Sequence, residues 1–330
     1  MKAKIAIATG DPAGIGPEIS LKTALDPIVR AACDPVVLCD PRVIENHAKS
    51  CGIDVKLRVI STIAEASWSD DRINVLDCMQ QEIAPLGAVS AAAGRASIAF
   101  CGRAIKTALA GEVDAVVAAP QNETSIAQAG IRFDGHPSFV ARETGTDEND
   151  VYMLLCFGNM KIAHTTLHQS VRDSIAAITH AKVARVLHVT DRTLRSLGIA
   201  TPRIAVSGLN PHAGEGGLFG REEIEIIKPA IGAAAAAGID AVGPFGADTM
   251  FHMKDIDAFV VMLHDQGHIA AKLLAQNAAS ALTIGTPILF SSVAHGSAHD
   301  IAGQGIASPV AMIEATLRLS KAKRVEGRSA

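Results

Sequence analysis

Histidines stand at matching places in three short polar segments, each directly after a predicted β-strand. The predicted strands cover residues 161–166, 203–209 and 257–263, and the segments after them read LHQSVRD, NPHAGEGG and HDQGH. In an open parallel sheet, ligands bind beyond the carboxyl ends of the strands. Imidazoles that converge there with one open position are typical of a catalytic divalent-metal site. The predicted ligands are His168, His212 and His264.

Two neighbouring histidines compete for this assignment. His164 lies inside its strand and should be buried, whereas His168 lies in the following turn and should be exposed. His268 comes one helical turn after His264 and is expected to support that ligand from behind. For each histidine alone, a structural role in the core or at a helix end is the alternative. Zinc suits three imidazoles best, and magnesium, manganese and cobalt stay open.

A glycine-rich junction, GDPAGIGPE, lies between the first predicted strand and the first predicted helix. Such junctions present backbone N–H groups to anions, and Asp11 and Gly14 would then contact a ligand. The alternative is a tight turn that needs Gly14 and Gly16 for their backbone angles. The sequence favours neither.

Isolated polar residues form a further set of candidates. GHPSF places His136 and Ser138 in a predicted loop, for which a surface turn is the alternative. Lys272 lies on a predicted helix after the third histidine segment, and Asp248 lies in the predicted loop GPFGADTMF. For the lysine and the aspartate, an ordinary solvated side chain is the alternative.

Apolar runs alternate with helical patterns along the whole chain. Further strands are predicted at 3–9, 35–40 and 113–120. Helices are predicted at 16–25, 90–112 and 221–238, the last one bent by Pro229 and stopped by Gly238. This alternation predicts an α/β fold with mostly parallel sheets, whose two lobes the chain crosses between more than once.

The composition excludes several classes of protein. The chain has 330 residues, a net charge of -4 and 3% aromatic residues, so it lacks the basic face and the stacking rings that nucleic acids need. The opening MKAKIAIATGD has too short an apolar run for a signal peptide, and no stretch approaches the ~20 apolar residues of a membrane span. Scattered cysteines without a Cys-x-x-Cys pair indicate free thiols and a cytoplasmic location.

Ordered motifs carry a family resemblance. GDPAGIGPEI, GH at 135–136, NPHAGEGG, GADTMF, HDQG and HGSA occur in this order across almost the whole chain, which resembles the 4-hydroxythreonine-4-phosphate dehydrogenase family. The resemblance implies the isocitrate/isopropylmalate dehydrogenase-like fold, with two α/β/α lobes and an active site in the interdomain cleft. We expect a cofactor-side lobe of residues 1–130 plus 280–330 and a metal, substrate and dimerisation lobe of residues 131–279.

The same resemblance assigns roles to single residues. It implies a metal on the three predicted histidine ligands and a homodimer whose subunits share active-site residues. It implies that His136 and Lys272 bind a small-molecule acid, and we expect Ser138 to contact the same acid. We expect Lys272 to hold a carboxylate or assist proton transfer, and Asp248 to accept a proton or support a metal histidine, without the sequence fixing which group takes the proton.

The segment HGSAHDIAGQGIASP, residues 295–309, is similar to the adenosine-binding loop of isopropylmalate dehydrogenases. The implied cofactor is NAD rather than NADP, because a carboxylate at Asp300 accepts hydrogen bonds from both ribose hydroxyls and repels a 2′-phosphate. His299 stands where isopropylmalate dehydrogenases usually have proline, so its role stays open. The implied cofactor contacts are His295, Gly296, Ser297, Ala298 and Asp300.

The substrate question depends on Pro137, Ala281 and Phe290, which replace the Thr, Asn and Arg of the biosynthetic family members. Loss of the Arg removes charge-assisted hydrogen bonds, and Phe290 is expected to offer an apolar surface instead. PQNETSIAQAGI, TLHQSVRDS and SSVAHGSAHDIAG resemble the terephthalate cis-dihydrodiol dehydrogenase branch, which Glu123 and Thr124 also favour. The alternative substrates are 4-hydroxythreonine 4-phosphate and a related four-carbon sugar-acid phosphate.

The expected reaction is the same for every substrate: NAD-dependent oxidation of a β-hydroxy acid, followed by loss of carbon dioxide, with a divalent metal lowering the pKa of the hydroxyl group. Two other classes are weighed against it. A catalytically silent nucleotide-binding protein would not need three histidines at equivalent places. A metal hydrolase would have no use for Asp300 and the small residues around it.

Overall fold

A computed structural model describes residues 2–69, 71–275 and 279–322. The chain divides into two compact units, Met1–Thr146 with Pro287–Ala330 and Asp147–Thr286. From the sequence, the boundaries are expected after residues 130 and 279. They lie later because helix His136–Thr144 packs within the first unit and strand Ser280–Ile284 pairs within the second. Strands and helices are numbered below along the chain.

The sheet of the first unit is entirely parallel. Its strands are β1 (Ala3–Ala8), β2 (Cys33–Cys39), β3 (Leu57–Ile60), β4 (Ile73–Asp77), β5 (Ala115–Ala118) and β12 (Leu289–Val293), which lie in the order β3-β4-β2-β1-β5-β12. Apolar side chains of these strands and of the long helix behind them are buried, among them Ile5, Val36 and Phe100. The last strand enters from the far end of the sequence, and residues 295–309 follow it directly.

Helices connect these strands: α1 (Gly16–Leu25), α2 (Pro27–Ala32), α3 (Pro41–Ser50), α4 (Ala91–Leu109), α5 (Glu123–Gln128), α6 (His136–Thr144) and, at the far end, α11 (Val310–Ser320). Proline in the first turn of α1, α2 and α3 fixes the backbone where a helix has no hydrogen bond to lose. Asp26, Asp40 and Ser90 accept backbone N–H groups at the starts of α2, α3 and α4.

The second unit has a mixed sheet. Its strands are β6 (Tyr152–Phe157), β7 (Met160–His164), β8 (Arg203–Ser207), β9 (Asp240–Phe245), β10 (Ala258–Val261) and β11 (Ser280–Ile284), in the order β11-β6-β7-β10-β8-β9. Both β11 and β7 run antiparallel to β6, and the remaining pairs are parallel. Its helices are α7 (Val171–Ala177), α8 (His180–Ser196), α9 (Lys228–Ala236) and α10 (His264–Ala275).

Two local predictions were wrong. His136 and Ser138 lie in the first turn of α6, not in a loop, because Pro137 occupies an early helical position where its missing N–H costs nothing. The predicted helix at 221–238 is irregular before Pro229 rather than bent at it: Glu223–Ile227 is π-helical and α9 follows without a break. None of the helices that the structure describes has the length and apolar character needed to cross a membrane.

Candidate active site

The three predicted ligand histidines follow three adjacent parallel strands. β10 lies between β7 and β8 and pairs with both. His168 comes after β7, His212 after β8, and His264 after β10, where it is the first residue of α10. The carboxyl ends of these strands thus form one edge within the second unit, as the sequence analysis assumed.

His168 and His264 lie close together at this edge, with ring centroids 5.6 Å apart. His168 is exposed, whereas His164 is fully buried, as their places in and after the strand predicted. The Nδ1 of His264 lies 2.7 Å from Oδ1 of Asp265. With Nδ1–H donated to this carboxylate, the Nε2 lone pair of His264 is the one left for a ligand.

His268 stacks on His264, with ring centroids 3.7 Å apart and planes 9° from parallel. Its Nδ1–H donates to the carbonyl oxygen of His264 at 3.2 Å. The ring centroid of His268 also lies 4.6 Å from that of His164. Burial is the main cause that lowers the pKa of His268 to about 4 and that of His164 to about 3. Both rings are therefore neutral at pH 7.

The ring of His164 fits under α10 only because residue 267 is glycine. A Cβ at Gly267 would overlap His164 Nε2 and would lie 2.9 Å from Ile162 Cγ2. The Nε2 of His164 is buried and lacks a hydrogen-bond partner. Helix α10 therefore packs closely against side chains of β7 at residue 267, between His264 and His268 in the sequence.

His212 lies on a turn with a left-handed backbone. Residues 212–216 all have positive φ, including 53° at His212 and 51° at Ala213. Such angles are unfavourable for residues with a Cβ and persist only where the surroundings enforce them. The buried carboxylate of Glu223 does so from the π-helical segment, accepting the backbone N–H groups of Leu209 and Asn210, each at 2.8 Å. These hydrogen bonds keep the pKa of Glu223 below its usual value, against the effect of burial.

The side chain of Gln266 makes hydrogen bonds to the segments that follow β10 and β8. Its Oε1 accepts the N–H groups of Met262 and Leu263 at 3.0 and 2.9 Å, and its Nε2 donates to the carbonyl of Gly208 at 3.0 Å. The ends of β10 and β8 are thereby joined through one side chain.

The donor set fits a divalent metal in chemistry but is incomplete in geometry. Two exposed imidazoles, His168 and His212, and a partly exposed one oriented by a carboxylate, His264, are the kind of ligands that zinc and related ions prefer. Among the residues described, however, no three His, Cys, Asp or Glu side chains are grouped closely enough to hold a metal ion. The structure brings His168 and His264 together and leaves the role of His212 as a prediction.

The two predicted catalytic groups of the second unit are both exposed. Lys272 lies one turn after His268 on α10, and its charge contributes to lowering the pKa of His268. Asp248 lies on the turn after β9, with its Oδ1 close to Gly246. Within the part of the chain that the structure describes, no hydrogen bond or ion pair joins Asp248 to the histidine pair, and its role in catalysis stays a prediction.

His136 and Phe290 pack against each other in the first unit. Their ring centroids are 5.5 Å apart, and Phe133 lies edge-on to His136 at 5.6 Å. Nε2 of His136 is buried without a partner, and burial lowers the pKa of this ring to about 4. Phe290 is 0% exposed within a large apolar cluster. The expectation that Phe290 offers a surface to substrate was wrong, because its ring lies in the core beneath His136.

The other two substitutions are placed differently. Pro137 lies in the first turn of α6 beside Ser138, and both are partly buried. Ala281 lies on β11 opposite Leu155 of β6, also partly buried.

Residues 295–309, here called the cofactor loop, follow β12. Ser297 is buried, Gly296 and Asp300 are exposed, and His295 and Ala298 are intermediate. A single turn of 3₁₀ helix, His299–Ile301, carries Asp300. A Cβ at Gly296 would meet open space. An exposed carboxylate on a short ordered turn fits the ribose hydroxyls of a dinucleotide.

The glycine-rich junction lies against this loop. Asp11 is fully buried, and the N–H of Ile15 donates to the carbonyl of Ser297 at 2.9 Å. Gly14 is required for close approach, since a Cβ there would lie 2.5 Å from the Ser297 carbonyl oxygen. Neither Gly14 nor Gly16 has a positive φ, so the alternative based on backbone angles was wrong.

Several residues of this arrangement escaped the sequence analysis. Glu223, Gln266, Glu18 and Lys22 act through tertiary hydrogen bonds that no local pattern announces. A Glu–Lys pair four residues apart at the start of α1 was visible, but such pairs are usually solvated, whereas Glu18 is fully buried.

The fold and these sites define a class, an α/β dehydrogenase. Residues 31–318 match the family of the pyridoxal phosphate biosynthetic protein PdxA, and the chain belongs to this family. It is 40% identical over 316 residues to a D-threonate 4-phosphate dehydrogenase of Cupriavidus necator, covering 94% of each chain. It is 39% identical over 311 residues to a 1,2-dihydroxy-3,5-cyclohexadiene-1,4-dicarboxylate dehydrogenase of Comamonas sp., covering 94% of this chain and 95% of that one.

Solved structures agree. A 4-hydroxythreonine-4-phosphate dehydrogenase from Klebsiella pneumoniae matches with a TM-score of 0.86 and 38% identity, over 96% of this chain and 99% of that one. A β-decarboxylating dehydrogenase from Thermococcus kodakarensis, at 14% identity and a TM-score of 0.50 over 95% of this chain and 81% of that one, shares the fold. The predicted fold class, family and oxidoreductase activity are therefore confirmed.

Proposed function

We propose that this dehydrogenase uses NAD and a divalent metal to oxidise 1,2-dihydroxy-3,5-cyclohexadiene-1,4-dicarboxylate, with loss of carbon dioxide to give protocatechuate. The observation that carries the substrate assignment is that residue 290 is a fully buried Phe packed against His136, so this position brings no cation to a substrate. A phosphate ester needs charge-assisted hydrogen bonds, and this position provides none. The neutral His136 ring suits an unphosphorylated acid, and a relative at 39% identity bears the name of this activity.

Each unit contributes its own part of the machinery. In the first unit, Asp300 would accept the ribose hydroxyls of NAD, with contacts from His295, Gly296, Ser297 and Ala298. In the second unit, His264 and His168 would bind the metal, with His212 as the third ligand. Bound there, a divalent cation would lower the pKa of the substrate hydroxyl and favour negative charge on its oxygen.

The chain's own polar groups would then hold the acid and move the proton. Lys272 would pair with a carboxylate, and His136 and Ser138 would orient the ring. Bound NAD would supply the hydride acceptor for the carbinol carbon, and Asp248 and Lys272 are the candidates for the base that takes the hydroxyl proton. The resulting β-keto acid loses its carboxyl group as carbon dioxide, and the bond electrons complete an aromatic ring.

A second substrate has a specific observation in its favour. The chain is 40% identical to the D-threonate 4-phosphate dehydrogenase, and exposed Lys272 offers one cation to a phosphate. 4-Hydroxythreonine 4-phosphate belongs to the same group of substrates. These phosphorylated acids are the alternative to the dihydrodiol.

We also propose that the active protein is a homodimer whose subunits share the metal site. Exposed apolar side chains follow each ligand histidine: Val171 and Ile175 after His168, Leu218 and Phe219 after His212, and Ile269 and Leu273 after His264. Apolar surface gathered around polar site residues is typical of an interface. A ligand supplied by a second copy would account for the incomplete set within one chain.

A paired substrate panel tests the substrate assignment. NADH formation is followed at 340 nm with the dihydrodiol, 4-hydroxythreonine 4-phosphate and D-threonate 4-phosphate, each with and without a chelator. We expect kcat/KM to be at least about tenfold higher with the dihydrodiol, which corresponds to ~1.4 kcal/mol of transition-state binding. A preference for either phosphate would overturn the substrate and keep the family. Turnover that survives complete metal removal would overturn the metal assignment.

A further inference from the structure

The start of the cofactor loop is held by the glycine-rich junction. His299 Nε2 lies 3.3 Å from Oδ2 of Asp11, and the side chain of His299 is only 13% exposed. The other oxygen of Asp11 accepts the N–H of Ala13 at 2.8 Å. Asn122 adds a longer contact to the hydroxyl of Ser297 at 3.4 Å. The Asp11–His299 pair is therefore enclosed by the junction on one side and the cofactor loop on the other.

Burial makes this pair consequential. Asp11 is 0% exposed, and desolvation raises the pKa of its carboxyl group, while the Ala13 N–H and His299 oppose that rise. At 3.3 Å the imidazole and the carboxylate make a polar contact rather than a well-oriented hydrogen bond, and within the described residues neither Oδ2 of Asp11 nor Nε2 of His299 has a hydrogen-bond partner. Replacing His299 by an apolar residue would remove the imidazole that faces this buried carboxyl oxygen. The carboxyl group would then remain unsatisfied or draw water into the contact between junction and loop.

The end of the cofactor loop is held by the first helix. Lys22 Nζ donates to the carbonyl oxygens of Gly305 and Ala307 at 2.9 and 2.8 Å. Glu18, buried beside Lys22 at 2.7 Å, accepts the N–H of Ala307 at 2.9 Å. The buried carboxylate of Glu18 and the partly exposed ammonium of Lys22 thus hold residues 305 and 307 through three hydrogen bonds.

In the sequence, Asp300 lies between the two held ends of the cofactor loop, residues 299 and 305–307. The side chains that hold these two ends, here called anchors, belong to one continuous segment, residues 11–22. We propose that Asp11, His299, Glu18 and Lys22 are positioning residues that hold the cofactor loop in its binding conformation without touching the cofactor. This inference rests on the proposed binding of NAD through Asp300. A preorganised loop binds more tightly because less ordering is needed when the ligand arrives.

The test is calorimetric titration of the full-length protein with NADH. His299→Leu should raise the Kd for NADH about tenfold, because the loop must be ordered on binding. His299→Gln retains an N–H donor that can face Asp11 and should recover most of the affinity. His188→Leu, at an exposed site on α8, is the matched control. In steady state, His299→Leu should raise KM for NAD and leave kcat and the KM of the acid within about twofold, a split that general destabilisation would not give.

A double-mutant cycle shows whether His299 acts through Asp300. In an Asp300→Ala background, His299→Leu should weaken NADH binding much less than in the wild type, since the contact that it positions is already gone. Lys22→Met gives an independent readout at the other anchor if His299→Leu does not fold. An unchanged Kd in His299→Leu, or full additivity with Asp300→Ala, would overturn the inference while NADH binding by the wild type upholds the proposed function. No NADH binding by the wild type would overturn the proposed function itself.

Discussion

Because the rings of His264 and His268 are nearly parallel, only one of the two histidines can bind a given metal ion. A metal ion lies close to the plane of an imidazole that binds it through nitrogen. The two ring planes are 9° from parallel and the ring centroids are 3.7 Å apart. No position close to both rings therefore lies in both planes. Only one of the two histidines can therefore be a ligand. The contact between Nδ1 of His264 and Asp265 favours His264, and it leaves His268 to hold the ring of His264 in place.

Substitution of the stacked pair should separate ligand from support. His264→Ala should abolish measurable zinc binding by the metal-stripped protein. His268→Ala should keep it, with affinity reduced about tenfold because the ring of His264 loses its stacking partner. Calorimetric titration with zinc measures both, with His188→Ala as the control. Equal losses in the two variants would contradict the assignment.

The buried His136 should make the stability of the protein sensitive to acid. Its pKa is lowered to about 4 in the folded protein, whereas an unfolded histidine has about 6.5. Between these values the unfolded state binds more protons, so stability falls as the pH drops from about 7 to about 5. His136→Gln should reduce this fall by on the order of 1 kcal/mol, a value discounted because residue 136 as a whole is partly exposed.

Denaturant unfolding at pH 7 and pH 5 measures that difference. His188→Gln, on the surface of α8, should behave as the wild type does at both pH values. An equally steep loss of stability in His136→Gln and the wild type would show that His136 is not the responsible group.

At the scale of elements, two positions require glycine because neighbouring segments approach closely there, not because of helix propensity. Gly267 lets α10 lie on the ring of His164, and Gly14 lets the junction lie on Ser297. The left-handed turn that carries His212 also depends on a second element, because Glu223 of the π-helical segment accepts backbone N–H groups just before the turn. Such segments are frequent at functional sites because they redirect a helix by one residue.

The matched pair Gly267→Ala and Gly232→Ala tests the close approach of α10 to β7. Alanine at residue 232 in α9 would meet no atom within 4 Å and should stabilise the protein by up to about 1 kcal/mol through helix propensity. Alanine at residue 267 should destabilise it by about 1–3 kcal/mol, because a Cβ there overlaps the buried ring. Urea unfolding gives both values. A stabilising Gly267→Ala would show that α10 can move away from β7 at little cost.

At the scale of the molecule, the proposed interface gives its own prediction. Leu273 is 76% exposed on α10, and Leu273→Glu should convert a dimer to monomers, since a carboxylate would be buried without a partner. Light scattering after size exclusion measures the mass, and zinc affinity should fall with it if subunits share ligands. Ile28→Glu, at a 63% exposed site in the first unit, is the control and should stay dimeric. A wild-type monomer would contradict the proposal.

Elements whose signals are local were predicted from the sequence. Helix α1 lies at its predicted bounds, 16–25, because Pro17 marks its first turn. Strand β6 was not predicted. Its sequence, YMLLCF, is a continuous apolar run, and a short run of this kind does not distinguish a strand from a helix. The exposure of His168 and the burial of His164 followed from strand position. The stacking of His268, the burial of Phe290 and the Asp11–His299 pair depend on elements distant in sequence, which no local pattern specifies.

The position of β12 has a consequence for the order in which the protein forms during synthesis. In the first unit, β5 pairs with β1 on one side and with β12 on the other. As the chain leaves the ribosome, one edge of β5 stays unpaired until residues 289–293 appear, after the whole second unit has been made. Exposed strand edges recruit other chains. The cofactor loop is thus synthesised after the whole second unit, and it directly follows the strand that covers this edge of β5.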